Sequence, residues 1–328
     1  MDFDLTEDQH EIKRVARDLL GARSTMARVR EAAEARRYDD ALWQEIVALG
    51  WPGIAVDERY GGQGLGAVEL AVLLEELGYA CAATPFLSTA VVASALQSAG
   101  TDRQRERWLP GLVSGEVRAG VGPSGLVLDG TDAQIVLLIA GDTAALVERF
   151  EAEPIETIDP TRRFARVRGE GEALESGAAT RFAVAVASEV VGICQRALEM
   201  TLDYVKERKQ FGVPVGSFQA VSHRCAEMLL QTESARSAAY FGAWTADADP
   251  ERLPEGAALA AAAAATAGRE VTASAIQSHG GIGFTWEADV HWLYKRAELD
   301  RALLSGASHH HAMLARIAAQ RLAAVAPA

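Results

Sequence analysis

"ERKQFGVPVGSFQAVSHRCAEM", residues 207–228, lies between two stretches in which apolar residues recur at helical spacing, about 178–208 and about 217–246. Gly212 and Pro214 mark the break between them. A turn that only reverses the chain needs glycine and proline and little else. This one also gathers Arg208, Lys209, Gln210 and Phe211 at its start and Phe218 and Gln219 at its end. A guanidinium fork beside an aromatic ring suits a diphosphate that carries a heterocycle.

Outward from this turn, helical periodicity continues over about 255–279, 286–304 and 307–324, with Pro250, Pro254 and the "GGIG" of 280–283 as breaks. Long helices with short connections predict an antiparallel bundle. The small residues of "AALAAAAAATAGREV" let its helices approach closely. Between about 117 and 175 the pattern changes to the short apolar runs "GLVLDG", "QIVLLIAG" and "RFARVRG", which have the length and punctuation of strands. Towards the N-terminus the chain reads as helix from Leu5, with Thr6 and Gln9 at capping-box spacing, and again over about 40–49, 66–79, 86–99 and 101–115. Gly50, Gly78 and Gly100 stand near the stops. The predicted fold class is mainly α, formally α+β: an N-terminal helical domain (1–116), a small β-domain (117–176) and a C-terminal helical bundle (177–328).

With 328 residues, 49% of them apolar, the chain can bury a large core. A net charge of −13 without a long basic run argues against a nucleic-acid partner. Cys81, Cys194 and Cys225 are widely spaced and read as buried thiols of a reducing cytoplasm. The start, "MDFDLTEDQH", is acidic and has no apolar signal segment, and no membrane span is expected. A di-iron bundle would need Glu-x-x-His pairs on facing helices, and none occurs after Ala178. His309, His310 and His311 would point about 100° apart on a helix and so not converge on an ion. They are read as an incidental helix start, and no metal is expected.

A second stretch, "IQSHGGIGFTWE" at 276–287, ends a helix with Gln277 and His279 and opens a turn with Gly280 and Gly281, whose bare backbone lets N–H groups approach a phosphate. Taken with "DERYGGQGLGAVELAVLLEELG" (57–78), "RERWLPGLVSGE" (105–116) and "IDPTRRFARV" (158–167), in this order and over nearly the whole chain, the sequence resembles the acyl-CoA dehydrogenase family of flavoproteins. The resemblance implies an α-domain, a β-domain and a four-helix bundle assembled as dimers of dimers, with FAD as cofactor. It assigns Arg208, Gln210, Phe211, Gln219, Gln277, Gly280 and Gly281 to the adenosine-diphosphate end of FAD, held jointly with a neighbouring chain. It places Arg181, after Thr180, near the acyl-CoA.

The departures carry as much information. The family's α-proton base, a Glu in a Tyr-Glu-Gly-Thr segment, falls here on Ser305. The other known position, at the start of the first bundle helix, falls on Thr180. A serine does not act as base without a partner to activate it. The β-domain is also reduced: "AGVGPSGLVLDGTDAQIVLL" (119–138) lacks both of the family's flavin-contacting motifs. The resemblance therefore implies the non-catalytic subunit of a heteromeric acyl-CoA dehydrogenase, with an α2β2 arrangement, a catalytic partner chain, a sterol side-chain acyl-CoA as substrate and an electron-transfer flavoprotein as acceptor. Two readings stay open beside it. One is a self-sufficient homomer whose base is Glu172, Glu175 or Asp300. The other is an assembly protein that kept only the fold.

Overall fold

The computed structural model describes residues 4–174 and 177–325. Six helices come first: α1 (Glu7–Arg23), α2 (Met26–Ala35), α3 (Asp40–Ala48), α4 (Ala67–Tyr79), α5 (Phe86–Ala99) and α6 (Asp102–Val113). The expected capping box at α1 is present, with the Thr6 hydroxyl accepting from the Gln9 amide and the Gln9 side chain accepting from the Thr6 amide. The helical reading from Leu5 breaks at Ser24, and Thr25 caps the separate helix α2, which the periodicity did not resolve. Helix α5 is apolar on nearly every side because it is enclosed on every side.

A seven-stranded sheet follows: β1 (Ala119–Gly122), β2 (Val127–Leu128), β3 (Ile135–Ala140), β4 (Thr143–Val147), β5 (Glu151–Ile155), β6 (Phe164–Arg168) and β7 (Glu172–Ala173). Its order is β5-β6-β2-β1-β3-β4-β7. Among the described residues only β1 and β3 pair in parallel, Ala119 opposite Ile135 through Gly122 opposite Leu138. The inner strands β1 and β2 are fully buried and the edge strands β5 and β7 are largely exposed, so the sheet is anchored through its middle.

The C-terminal helices are α7 (Ala178–Glu207), α8 (Gln219–Ala248), α9 (Leu253–His279), α10 (Val290–Leu303) and α11 (Ala307–Val325). Between α7 and α8 lies a hairpin of two very short strands, β8 (Lys209–Gln210) and β9 (Val213–Pro214). Helix α10 starts at Val290, later than the expected 286, because Arg30 of α2 holds the preceding loop: its guanidinium donates to the Trp286 carbonyl (2.6 Å) and to Asp289 (2.7 Å). Helix α7 is long and apolar enough by composition to cross a bilayer, yet most of it is buried inside the protein. It meets α4 so closely that a Cβ on Gly192 would lie 1.8 Å from the Glu75 carbonyl oxygen, and one on Gly78 would lie 2.1 Å from that of Glu189. Only glycine allows two helices to touch backbone to backbone at both points.

One buried ionic cluster joins the N-terminal layer, the sheet and the bundle. Arg296 of α10 is fully buried and donates to Asp159 (2.6 Å), Glu189 (3.4 Å), Thr161 and the carbonyls of Cys81 and Ala82 (3.4 and 3.3 Å). Arg162 pairs with Glu189 as well. Asp300, one turn beyond Arg296 on the same helix, is also buried. Burial, then the Glu189 charge, pushes its carboxyl pKa well above the ordinary range. Burial thus favours its neutral form, beside two guanidinium groups that face two carboxylates.

Candidate functional site

The candidate site sits at the end of the bundle where α7 and α9 both terminate. Tyr204, near the end of α7, stacks on His279, the last residue of α9, with centroids 4.4 Å apart and planes 19° from parallel. That stack sets the ends of α7 and α9 side by side, with the β8–β9 hairpin following the one and the glycine turn following the other, about 70 positions apart in sequence.

Within the hairpin, Phe211 (φ 53°) and Gly212 (φ 85°) are both left-handed, the conformation of a tight two-residue hairpin loop. A phenylalanine there is strained, and its ring is 93% exposed, touching Phe218 edge-on at 6.3 Å. Arg208 is exposed, and its guanidinium makes no ion pair or hydrogen bond among the described residues. Gln210 donates to the neighbouring Lys209 carbonyl (2.9 Å), and Gln219 opens α8 with its side chain in solvent. At the end of α9, Gln277 is exposed, Gly280 has φ 66°, and a Cβ on Gly280 or Gly281 would meet nothing within 4 Å. The donors, the projecting ring and the glycine backbone are thus each open to solvent.

The positions of the expected base are different in character. Ser305 is exposed and left-handed (φ 58°) in the turn between α10 and α11, and its hydroxyl makes no hydrogen bond among the described residues. Thr180 donates to the Gly177 carbonyl (2.8 Å), a local bond that starts α7. Arg181 is half-buried and donates to the Ala246 carbonyl at the end of α8 (2.8 Å), and burial lowers its pKa. Among the alternative acids, Glu172 is exposed on the edge strand β7 and accepts from Gln104 (3.0 Å), Asp300 belongs to the buried cluster, and Glu175 lies outside the described residues. Where the flavin motif was expected, β1 and β2 are joined by residues 123–126 alone. Gly122 abuts the end of α10: a Cβ there would lie 3.4 Å from Leu303.

The histidine run is not wholly incidental. His309 and His311 are exposed, but His310 is buried and its Nε2 donates to the Leu304 carbonyl (2.7 Å), which caps α10 and holds the Ser305 turn. Burial lowers its pKa, which keeps the ring neutral. Sequence reasoning passed over it because its partner, six positions upstream, is a backbone atom. The three cysteines are free and buried.

Comparison with known proteins identifies the fold. The family descriptions "Acyl-CoA dehydrogenase, N-terminal domain" and "Acyl-CoA dehydrogenase, C-terminal domain" match residues 6–116 and 169–322. The chain belongs to the acyl-CoA dehydrogenase family. It is 35% identical to acyl-CoA dehydrogenase IpdE2 of Mycobacterium tuberculosis over 91% of this chain and 93% of that protein. Among solved structures it superimposes on the ChsE4-ChsE5 complex from Mycobacterium tuberculosis with a TM-score of 0.86 and 26% identity, covering 100% of both chains. The Tcur3481-Tcur3483 steroid ACAD G363A variant gives 0.84 and 28%, covering 97% of this chain and 99% of that one. A solved FAD complex of PigA shares the fold at 19% identity, with a TM-score of 0.83 over 98% of this chain and 100% of that one.

As an acyl-CoA dehydrogenase family member, the chain can be tested against FAD, the cofactor that its resemblance implied. The unpaired guanidinium of Arg208, the exposed amides of Gln210, Gln219 and Gln277, the Phe211 ring and the open backbone at Gly280 and Gly281 fit an anionic diphosphate with its adenosine. Nothing comparable is assembled around Ser305.

Proposed function

We propose that this chain is the subunit of a two-component acyl-CoA dehydrogenase that lacks the α-proton base and completes an FAD site held mainly by a catalytic partner chain. FAD, when bound, supplies the hydride acceptor for α,β-dehydrogenation of the thioester. Arg208, Gln277 and the glycine turn bind and orient its diphosphate end, and Phe211 packs against it from a neighbouring subunit. Arg181 is assigned to the acyl-CoA side of the assembly. The likeness to a steroid acyl-CoA dehydrogenase supports a sterol side-chain acyl-CoA as substrate, and an electron-transfer flavoprotein fits as acceptor. Three reduced, buried cysteines accord with a cytoplasmic protein.

The observation that carries this reading is Ser305. The turn that would present a carboxylate to the α-proton presents an exposed hydroxyl with no activating partner among the described residues. The test is flavin content, native mass and acyl-CoA oxidation of the chain alone and of the chain co-expressed with acyl-CoA dehydrogenase chains encoded nearby. The lone chain should be inactive. The mixed complex should be yellow, active, and carry about half the FAD of a homotetramer. A lone chain with stoichiometric FAD and dehydrogenase turnover would refute it.

A further inference from the structure

The contact between Tyr204 and His279 joins the bases of two turns that the sequence keeps far apart. Tyr204 stands half-buried in the last turn of α7, and its main-chain carbonyl accepts from the Arg208 N–H (2.8 Å). The Arg208 carbonyl in turn accepts from the Val215 N–H (2.7 Å), and Lys209 and Gln210 pair with Pro214 and Val213. The hairpin is thereby closed onto the residue that carries the stacking ring. His279 has the matching place on α9. It is the last residue of that helix and 8% exposed, and its Nδ1 donates to the Ala275 carbonyl (2.8 Å), which fixes the plane of the ring. The glycine turn folds back over it, so that a Cβ on Gly283 would lie 3.1 Å from the His279 Cβ.

Helix ends fray, and a turn that hangs from a frayed end has no fixed place. Here the two ends meet ring on ring, with centroids 4.4 Å apart and planes 19° from parallel. Burial lowers the His279 pKa, so two neutral rings stack and no charge draws either one towards solvent. A stacked aromatic pair holds its partners by more than the area it buries. Groups that are already in place when a ligand arrives lose no affinity to being ordered by it. We propose that Tyr204 and His279 are positioning residues of the shared site: their stack locks the hairpin and the glycine turn at one spacing, so that the two turns bind a single cofactor as one unit. Neither ring touches the cofactor in this assignment; each acts through the turn that follows it.

The inference rests on the shared-site reading and is separable from it. The two-component complex is stripped of flavin and titrated with FAD, following flavin fluorescence. Tyr204→Leu should weaken FAD by about fivefold, and Tyr204→Phe, which keeps the stacking face, should bind as wild type. A coupling measurement separates positioning from plain packing. Arg208→Ala and Gln277→Ala, one on each turn, should show non-additive losses of FAD affinity while the stack is intact, and additive losses once Tyr204→Leu is added. A residue that served the core alone would lower the Tm and leave that coupling as it was. FAD binding by Tyr204→Leu equal to wild type, equal weakening by Tyr204→Phe, or a coupling indifferent to the stack would each overturn the assignment. His279→Leu removes the other ring and keeps the test decisive where Tyr204→Leu fails to fold. Unchanged FAD binding in both Arg208→Ala and Gln277→Ala would remove the shared site itself, whereas losses there beside an unaffected Tyr204→Leu would remove only the positioning role.

Discussion

Replacing Arg296 with alanine should be among the most destabilising single changes in this protein, and its cost can be worked from its partners. The guanidinium is fully buried and donates to Asp159, Glu189, Thr161 and two main-chain carbonyls. Its removal strands the carboxylate of Asp159, itself fully buried and held below the usual carboxylate range by Arg296 and Thr161 against the cost of burial. Breaking a buried pair in this way costs about 3–5 kcal/mol. With an unfolding entropy of roughly 2.1 cal/mol/K per residue, a loss of about 4 kcal/mol lowers the Tm of a 328-residue chain by about 6 °C. The assay is thermal unfolding by circular dichroism at fixed protein concentration, since association would itself move the midpoint. Arg163→Ala is the matched control: its pair with Asp132 (3.1 Å) is about a third exposed on both sides, and such pairs contribute about 1 kcal/mol or less. A Tm for Arg296→Ala within about 1 °C of the control would refute the claim that this cluster ties the three layers together.

Two further outcomes follow from the same geometry. Asp300 has a folded-state pKa well above its unfolded value, chiefly through burial, so above pH ~4 the unfolded chain binds fewer protons than the folded one and stability falls as pH rises towards the folded pKa. Asp300→Asn removes that titration: its Tm advantage over wild type should be small near pH 4 and grow towards pH 7, and an advantage independent of pH would contradict the assignment of Asp300 as neutral. Gly192→Ala forces a Cβ to within 1.8 Å of the Glu75 carbonyl oxygen, on a helix with no room to retreat, and should cost roughly 3 kcal/mol or more. Soluble protein with an unchanged Tm would show that α4 and α7 do not pack as described.

The long helices were legible because their signals are local. Apolar spacing, Gly and Pro punctuation and the Thr6 capping box all act within a few residues, and α7, α9 and α11 fall close to where periodicity placed them. The misses share a different cause. The late start of α10 depends on Arg30, more than 250 residues upstream. The buried cluster draws on four separate segments, and the role of His310 depends on a main-chain carbonyl. No window of sequence contains these partners.

The site divides along the same line. Arg208 with Phe211, and Gln277 with Gly280, were each visible as a local concentration of residues that a plain turn does not need. Their convergence became visible only through the Tyr204–His279 stack. What that convergence leaves exposed then bears on assembly. Phe211 and Phe284 are 93% and 79% exposed, and Trp286 is 66% exposed, all at the end of the bundle that carries an unpaired Arg208 and two buried, unpartnered nitrogens on His291. Scattered exposed apolar residues need no explanation, but aromatic rings grouped around unsatisfied polar groups do. In the proposed assembly, a second chain would cover these rings. On the proposed reading, a second copy of this chain would bring the same serine to the same turn, so that reading calls for a partner of different sequence.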